Sequence, residues 1–322
     1  MCNLAIIIPA HRSRHLKESL ESLARQTDPR FHVYVGDDAS SEALESIISA
    51  FAGRLDVHYT RFGANLGGSN LVHHWHRCIA LSEGEPWLWL FSDDDVLDPG
   101  CVAAFYRSLN QPDQVPVDLY RFQLDQIDDH SNRTSRWAEH PAYESTDAFL
   151  RALLTDRRRA FRAQEHIFSR EVYERSGGFV AFPKAIYSDH ATWLRFSSPR
   201  GVRTIPGPRV MWRNHAAGTT SGLRGYHRDA WLQSARLYMG WLHAFSREQG
   251  PVTHRLFREQ GVAFYFNELA RLRPRLSRVE CQAAVNFVRD LFRVSAWGSY
   301  FRLYSALVRH RLGDRLRGSR GK

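Results

Sequence analysis

The sequence predicts an α/β protein, and three observations carry that reading. Short strand-like runs alternate with helical stripes through the first hundred residues, a polar cluster follows each run, and three aspartates, Asp93-Asp94-Asp95, close the last one. Strands alternating with helices fold as a parallel sheet covered on both faces. Ligands bind such sheets beyond the carboxyl ends of the strands. The clusters Pro9 to Arg12, Asp37-Asp38, Asn65 to Asn70 and Asp93 to Asp95 are therefore expected to share one site.

The elements follow in order. Leu4-Ala5-Ile6-Ile7-Ile8, stopped by Pro9, reads as a strand buried on both faces. Leu16, Leu20 and Leu23 keep helical spacing, with Pro29 beyond the end. Phe31 to Val35 is a second strand, Leu44, Ile47, Ile48 and Phe51 a second helical stripe, and Asp56 to Thr60 a third strand. A helix around Leu71 to Leu81 leads into Trp87 to Ser92, the strand that carries the aspartates. From about Val117 the alternation loosens: strand-like Leu119 to Leu124, a polar stretch from Asp125 to His140, then helix and strand between Phe149 and Phe168. Tyr226 to Glu248 and Thr253 to Leu272 are helical in period, and an apolar and basic segment runs from Phe287 to about Arg317.

The 322 residues hold one large domain or one domain with an appendage, and 43% hydrophobic and 12% aromatic content suffice for a packed core. A formal charge of +10 points to an anionic partner: nucleotide, phospholipid surface or nucleic acid. Cys2, Cys78, Cys101 and Cys281 have no metal-ligand spacing and read as reduced thiols. No signal peptide is visible and no stretch reaches about 18 apolar residues. The expectation is a cytoplasmic protein, soluble or peripheral at the inner face of the membrane.

Two carboxylates about 4 Å apart repel by about 4 kcal/mol at an effective dielectric near 20. Three of them at a strand end either form an acidic turn in solvent or hold a cation. Mg²⁺ or Mn²⁺ suits such oxygen ligands, with substrate phosphates completing the shell. No G-x-G-x-x-G follows the first strand, which argues against a dinucleotide-dependent dehydrogenase.

Six segments in this order resemble the inverting, nucleotide-sugar-dependent glycosyltransferases of family 2, of bacterial surface-glycan type, over roughly residues 4 to 221. They are Ile6 to Arg12, with His11 where that family commonly has Asn; Asp37-Asp38-Ala39-Ser40-Ser41-Glu42, with Ala39 in place of Gly; and Asn65-Leu66-Gly67-Gly68-Ser69-Asn70. The others are Ser92-Asp93-Asp94-Asp95-Val96-Leu97-Asp98-Pro99, with Ser92 in place of the first Asp; Ser169 to Phe179 followed by Ser188-Asp189, with Ser188 in place of an acid; and Trp212-Arg213-Asn214-His215 followed by Thr219-Thr220-Ser221.

The resemblance implies a GT-A fold, a Rossmann-like nucleotide-binding mixed sheet flanked by helices, over residues 1–222, with a helical region over 223–322. It implies transfer of a sugar from a nucleoside-diphosphate donor, UDP-sugar favoured, to a glycan or lipid-linked acceptor in cell-envelope polysaccharide synthesis. Asp189 takes the role of general base. Pro9, Ala10, His11 and Arg12 line the donor pocket, Asp38 accepts a hydrogen bond from the base, and Asn65 and Gly67 approach the ligand. Asp94 is the leading metal ligand. Asp93 and Asp95 serve as second ligand, water-mediated contact or sugar contact. His215 is a metal or phosphate ligand and Arg213 a diphosphate contact. Ser92 and Ser188 leave room for a non-catalytic nucleotide-sugar-binding protein, and the charge for a nucleic-acid binder, although no nucleic-acid module is recognisable.

Near the C-terminus Phe287, Leu291, Val294, Phe301, Tyr304 and Val308 fall close to one helical face, with Arg289, Arg293, Arg302 and Arg309 between them. This basic amphipathic pattern either lies on an anionic membrane or packs on the rest of the chain.

Overall fold

A computed structural model describes residues 3–111, 115–214, 227–272 and 275–318, the last eight of these by backbone alone. The chain divides into two compact units: Met1–Phe149 with Arg157–Gly218, and Leu150–Asp156 with Thr219–Lys322.

The first unit is built on one sheet. Its strands are β1 (Leu4–Ala10), β2 (His32–Asp37), β3 (Val57–Arg61), β4 (Trp87–Leu90), β5 (Val96–Leu97), β6 (Leu119–Ile127), β7 (Arg133–Arg136), β8 (Tyr143–Glu144), β9 (His166–Ser169) and β10 (Val202–Arg213). They lie in the order β3-β2-β1-β4-β9-β6-β10-β5, with β7 on β6 and β8 on β10. The β3-β2-β1-β4 part is parallel, as the alternation predicts. Beyond it the sheet turns mixed, because β9 runs antiparallel to both β4 and β6. β1 runs on through Pro9 to Ala10, since proline removes only one donor and Pro9 still pairs in register with Gly36.

The hydrophobic pattern explains the layers. Leu4, Ile6, Ile8 and Ala10 point to one face and pack with Leu16, Leu20 and Leu23 of α1 (Leu16–Ala24) and Leu44 and Ile48 of α2 (Leu44–Ser49). The alternate residues Ala5 and Ile7 are equally buried, and α3 (Gly67–Ile79) packs against β1 and β2. Asn70 interrupts α3 with a non-helical φ of −141° and accepts the His73 N–H on its Oδ1 at 3.1 Å. The regular helix thus begins at Leu71, the start read from sequence, with Asn70 as its cap. The remaining helices of this unit are α4 (Cys101–Leu109), α5 (Thr146–Thr155, which runs into the second unit), α6 (Arg170–Arg175) and α7 (Ser188–Phe196). Cys78 and Cys101 are free and buried.

The second unit contains α8 (Arg228–Glu248), α9 (Pro251–Ala270), α10 (Arg278–Phe292) and α11 (Ala296–Gly318). Phe257 of α9 stacks on Phe292 of α10 with ring centroids 5.0 Å apart, and Tyr265 meets Phe287 at 5.3 Å. The segment read as one amphipathic helix from Phe287 is broken at Arg293, which takes a left-handed φ of +53° and ends α10. Phe287 and Leu291 therefore belong to one helix, and Phe301, Tyr304 and Val308 to the next.

Ala39, in the turn after β2, is also left-handed, at φ +53°. An L-residue there costs about 1–2 kcal/mol, whereas glycine adds about 0.5–1 kcal/mol of backbone entropy to lose. Ala39→Gly is expected to stabilise the fold by about 0.5–1 kcal/mol; a urea midpoint that stays put or falls contradicts the strain argument.

Candidate functional site

In the order β3-β2-β1-β4 the chain leaves β1 toward β2 on one side and reaches β4 on the other. A crevice opens beyond the carboxyl ends at such a reversal. The polar clusters converge there. Asp93 Oδ2 accepts the backbone N–H groups of His11 at 2.9 Å and Arg12 at 3.1 Å, which joins the loop after β4 to the loop after β1. Ser19 of α1 donates to the Ser92 carbonyl at 3.0 Å, and Ser92 donates to Asp94 Oδ1. Burial and the Asp94 charge push the Asp93 carboxyl up to about 6.

Asp95 faces inward and is fully buried. Its Oδ1 accepts the Arg213 N–H at 2.7 Å, while Oδ2 has no hydrogen-bond partner among the described residues. Burial, with Asp94 beside it, raises this carboxyl well above the usual range. The loop therefore carries more negative charge than its hydrogen bonds offset. That excess, on hard oxygen donors, fits a divalent cation. Among the described residues no three His, Cys, Asp or Glu side chains converge at ligating distance, so phosphate or water oxygens would complete the shell. His215, the third ligand expected from sequence, lies outside the described residues, as do Thr219, Thr220 and Ser221.

Two residues expected to contact the donor have protein partners. Arg213 is 2% exposed, and its guanidinium donates to the Asp94 carbonyl, the Asp128 carbonyl and Glu18 Oε2, each at 2.7 Å, and to Ser131 Oγ at 2.9 Å. It clasps β10, α1 and the backbone of the loop after β4 together, and a diphosphate would have to displace those partners. Asp38 is likewise 2% exposed. Its carboxylate accepts the N–H groups of Leu66 and Gly67, both at 2.8 Å, the Asn65 amide at 2.9 Å, and Arg77. Asp38 thus shapes the Asn65–Gly67 loop from beneath. A Cβ on Gly67 would stand 2.7 Å from Asp38 Oδ2, which explains the glycine. Asn65 and His11 remain on the exposed rim, with the amide 3.5 Å from the imidazole.

Arg77 went unrecognised in the sequence, although it stands two helical turns after Asn70. It lies over the Phe62 ring at 3.9 Å and donates to the Ala64 carbonyl at 3.0 Å and to His74 Nδ1 at 3.0 Å. Burial holds His74 down at about 4, so it is neutral at pH 7 and can accept that bond.

Asp189 is the second residue of α7, and its Oδ1 accepts the His190 N–H at 2.8 Å. Three features fix this helix start. Ser188 Oγ accepts the Phe182 N–H at 3.0 Å, so the residue that replaces an acid serves the turn. Phe179 inserts its ring among Trp75, Phe168 and Trp193. Gly178, at φ +82°, leaves the space that His76 fills; a Cβ there would lie 2.2 Å from that ring. Lys184 Nζ also donates to the Gly68 carbonyl, which ties the approach to α7 to the Asn65–Asn70 loop. Lys184, Ala185 and Tyr187 are all left-handed non-glycine residues, and such strain collects at functional loops.

A profile of the family described as Glycosyl transferase family 2 matches residues 5–190. The chain belongs to that family. It is a glycosyltransferase, and its fold is GT-A. Residues 1–349 of S. aureus TarS, solved in complex with UDP-GlcNAc, superpose with a TM-score of 0.63 at 13% identity, over 97% of this chain and 92% of that one. Mannosyltransferase PcManGT from Pyrobaculum calidifontis, in complex with GDP-Man and Mn²⁺, gives 0.51 at 16%, over 96% and 86%. No curated protein sequence matches the chain.

Behind Asp189 lies Glu165, fully buried, with Oε1 accepting the Arg162 N–H at 2.8 Å and Oε2 without a partner among the described residues. Burial foremost, and the Asp189 charge in lesser part, push this carboxyl from 4.5 to about 8. Between those values the folded glycosyltransferase keeps a proton that the unfolded chain has lost, so stability falls as pH rises across the window and levels off above it. Each unit of that window corresponds to about 1.4 kcal/mol. Glu165→Gln is expected to flatten the fall; urea midpoints for the variant that drop from pH 5 to 8 as steeply as those of the parent contradict it.

Proposed function

We propose that residues 1–222 form the catalytic region of a metal-dependent, inverting glycosyltransferase and that 223–322 form its helical C-terminal region. The donor is a nucleoside-diphosphate sugar, with a UDP-sugar favoured, and the acceptor is a hydroxyl of a glycan or lipid-linked glycan. The observation that carries this reading is the placement of Asp93, Asp94 and Asp95 at the β1–β4 reversal, with Asp93 bonded to the His11 and Arg12 backbone that would line a nucleotide pocket. The uridine nucleotide in the TarS complex supports the UDP preference. GDP-Man with Mn²⁺ in the mannosyltransferase supports the cation and keeps guanosine as the second donor class.

Asp94, with Asp95 behind it, would hold Mn²⁺ or Mg²⁺, and the ion would supply Lewis-acid stabilisation of the departing diphosphate. The chain's own residues orient the donor. His11 and Arg12 present an exposed rim whose backbone Asp93 fixes, and Asn65 stands opposite on the loop that Asp38 braces. Asp189 accepts the proton of the acceptor hydroxyl as its oxygen bonds to the anomeric carbon and the bond to the diphosphate breaks. A single displacement from the face opposite the leaving group inverts the anomeric centre. Positive charge develops on an oxocarbenium-like sugar, as in glycoside hydrolysis.

A thermal-shift panel of nucleoside diphosphates with and without Mn²⁺ tests the reading. UDP should stabilise the parent only when Mn²⁺ is present, and Asp94→Asn should abolish that dependence. Asp189→Asn should keep the UDP shift and lose about 10²–10⁴-fold in turnover. Near-normal turnover in Asp189→Asn overturns the base assignment, and a shift indifferent to Mn²⁺ overturns the metal.

A further inference from the structure

Helix α11 carries a face that the second unit leaves open. Ser299, Leu303 and Ala306 are buried at 1%, 0% and 1% exposure, which accounts for the side that packs against α9 and α10. Trp297, Phe301, Tyr304 and Val308 are exposed at 85%, 69%, 55% and 50%. Their spacing of four, three and four residues sets them within one narrow stripe along the helix. Large aromatics are seldom left in water in such a row. Arg302 and Arg309 are also exposed, and the helix continues over Arg311, Arg315 and Arg317 with Asp314 as its single acid.

We propose that this stripe lies on the surface of an anionic lipid bilayer, with Trp297, Phe301 and Tyr304 at headgroup depth and Arg302 and Arg309 paired with lipid phosphate. The chemistry selects the partner. Trp and Tyr favour the boundary between headgroups and acyl chains, where one edge of the ring is apolar and the other wet. Arginine stems lie along the apolar layer while the guanidinium reaches phosphate. A second copy of the chain fits poorly, because pairing through α11 would bring two arginine-rich helices together. It would also bury too little. The exposed fractions of the three aromatics amount to about 400 Å² at about 200 Å² per whole side chain. Two copies would bury about 800 Å², short of the roughly 1,200 Å² of a stable interface. Among the described residues no helix is long and apolar enough to cross a membrane, so the contact lies in the plane of the surface.

This inference does not depend on the sugar-transfer reading, and its test does not measure transfer. The full chain is floated with vesicles of phosphatidylcholine alone and with equal parts phosphatidylcholine and phosphatidylglycerol. It should rise with the anionic vesicles, at least tenfold less with phosphatidylcholine, and lose its binding as salt is raised. Trp297→Ser with Phe301→Ser should lower flotation at least tenfold while the melting temperature stays unchanged, since both side chains are exposed. Arg302→Glu with Arg309→Glu should do the same. Failure of the full chain to float overturns the proposal, as does flotation that ignores lipid charge or survives the aromatic changes. A dimer in solution that Trp297→Ser with Phe301→Ser dissociates would assign the stripe to a second copy. Retention of RNA that vesicles fail to displace would assign it to nucleic acid.

Discussion

The geometry of this protein depends on the Asp93 carboxylate accepting two backbone amides from the loop after β1. One side chain thereby fixes the two strand ends between which the sheet reverses its order. Its neighbours follow from it. With Asp93 turned toward β1, Asp95 points the other way, into the protein, where Arg213 meets it through its N–H. Asp94, between them, is left at the mouth with Ser92 on one oxygen. Three like charges in consecutive positions repel strongly at low dielectric; burial first, and the Asp94 charge after it, raise the titration of Asp93 and Asp95.

The surroundings distribute the cost without removing it. Arg213 brings a guanidinium within reach but directs it at carbonyls and at Glu18, so its charge is held one layer back. Asp38 and Arg77 form a comparable brace under the Asn65–Gly67 loop. Both pairs lie behind the rim and hold it, while His11, Arg12 and Asn65 stay exposed on it. Rigid support of this sort is what a site needs when binding must be set to a fraction of an ångström. The loop before α7 differs, since it carries three left-handed non-glycine residues and its Lys184 donates to the Gly68 carbonyl.

The sequence read most clearly where local pattern and burial agree. Every strand of the β3-β2-β1-β4 half was visible as a short strand-like run, and the four polar clusters were visible as one site because a parallel sheet puts all its strand ends on one edge. The antiparallel insertion of β9 between β4 and β6 was not visible, because strand direction depends on which neighbour closes the sheet. Arg213 and Asp38 were visible as residues, and their partners within the protein were not. A polar side chain near a site looks the same in sequence whether it faces the ligand or a backbone amide. Arg77 and Glu165 escaped notice because nothing local distinguishes a buried charge from a solvated one.

By itself the chain's order of residues determined the α/β class, the family and the location of the acidic loop, since periodicity and motif spacing are properties of the chain alone. Only the tertiary structure decided which of the three aspartates turns inward, which arginines are locked to carbonyls, and that the last apolar segment breaks at Arg293 to bare a second face on α11. Those outcomes turn on the direction of side chains and on what remains uncovered after packing. Both are fixed by contacts between residues far apart in sequence.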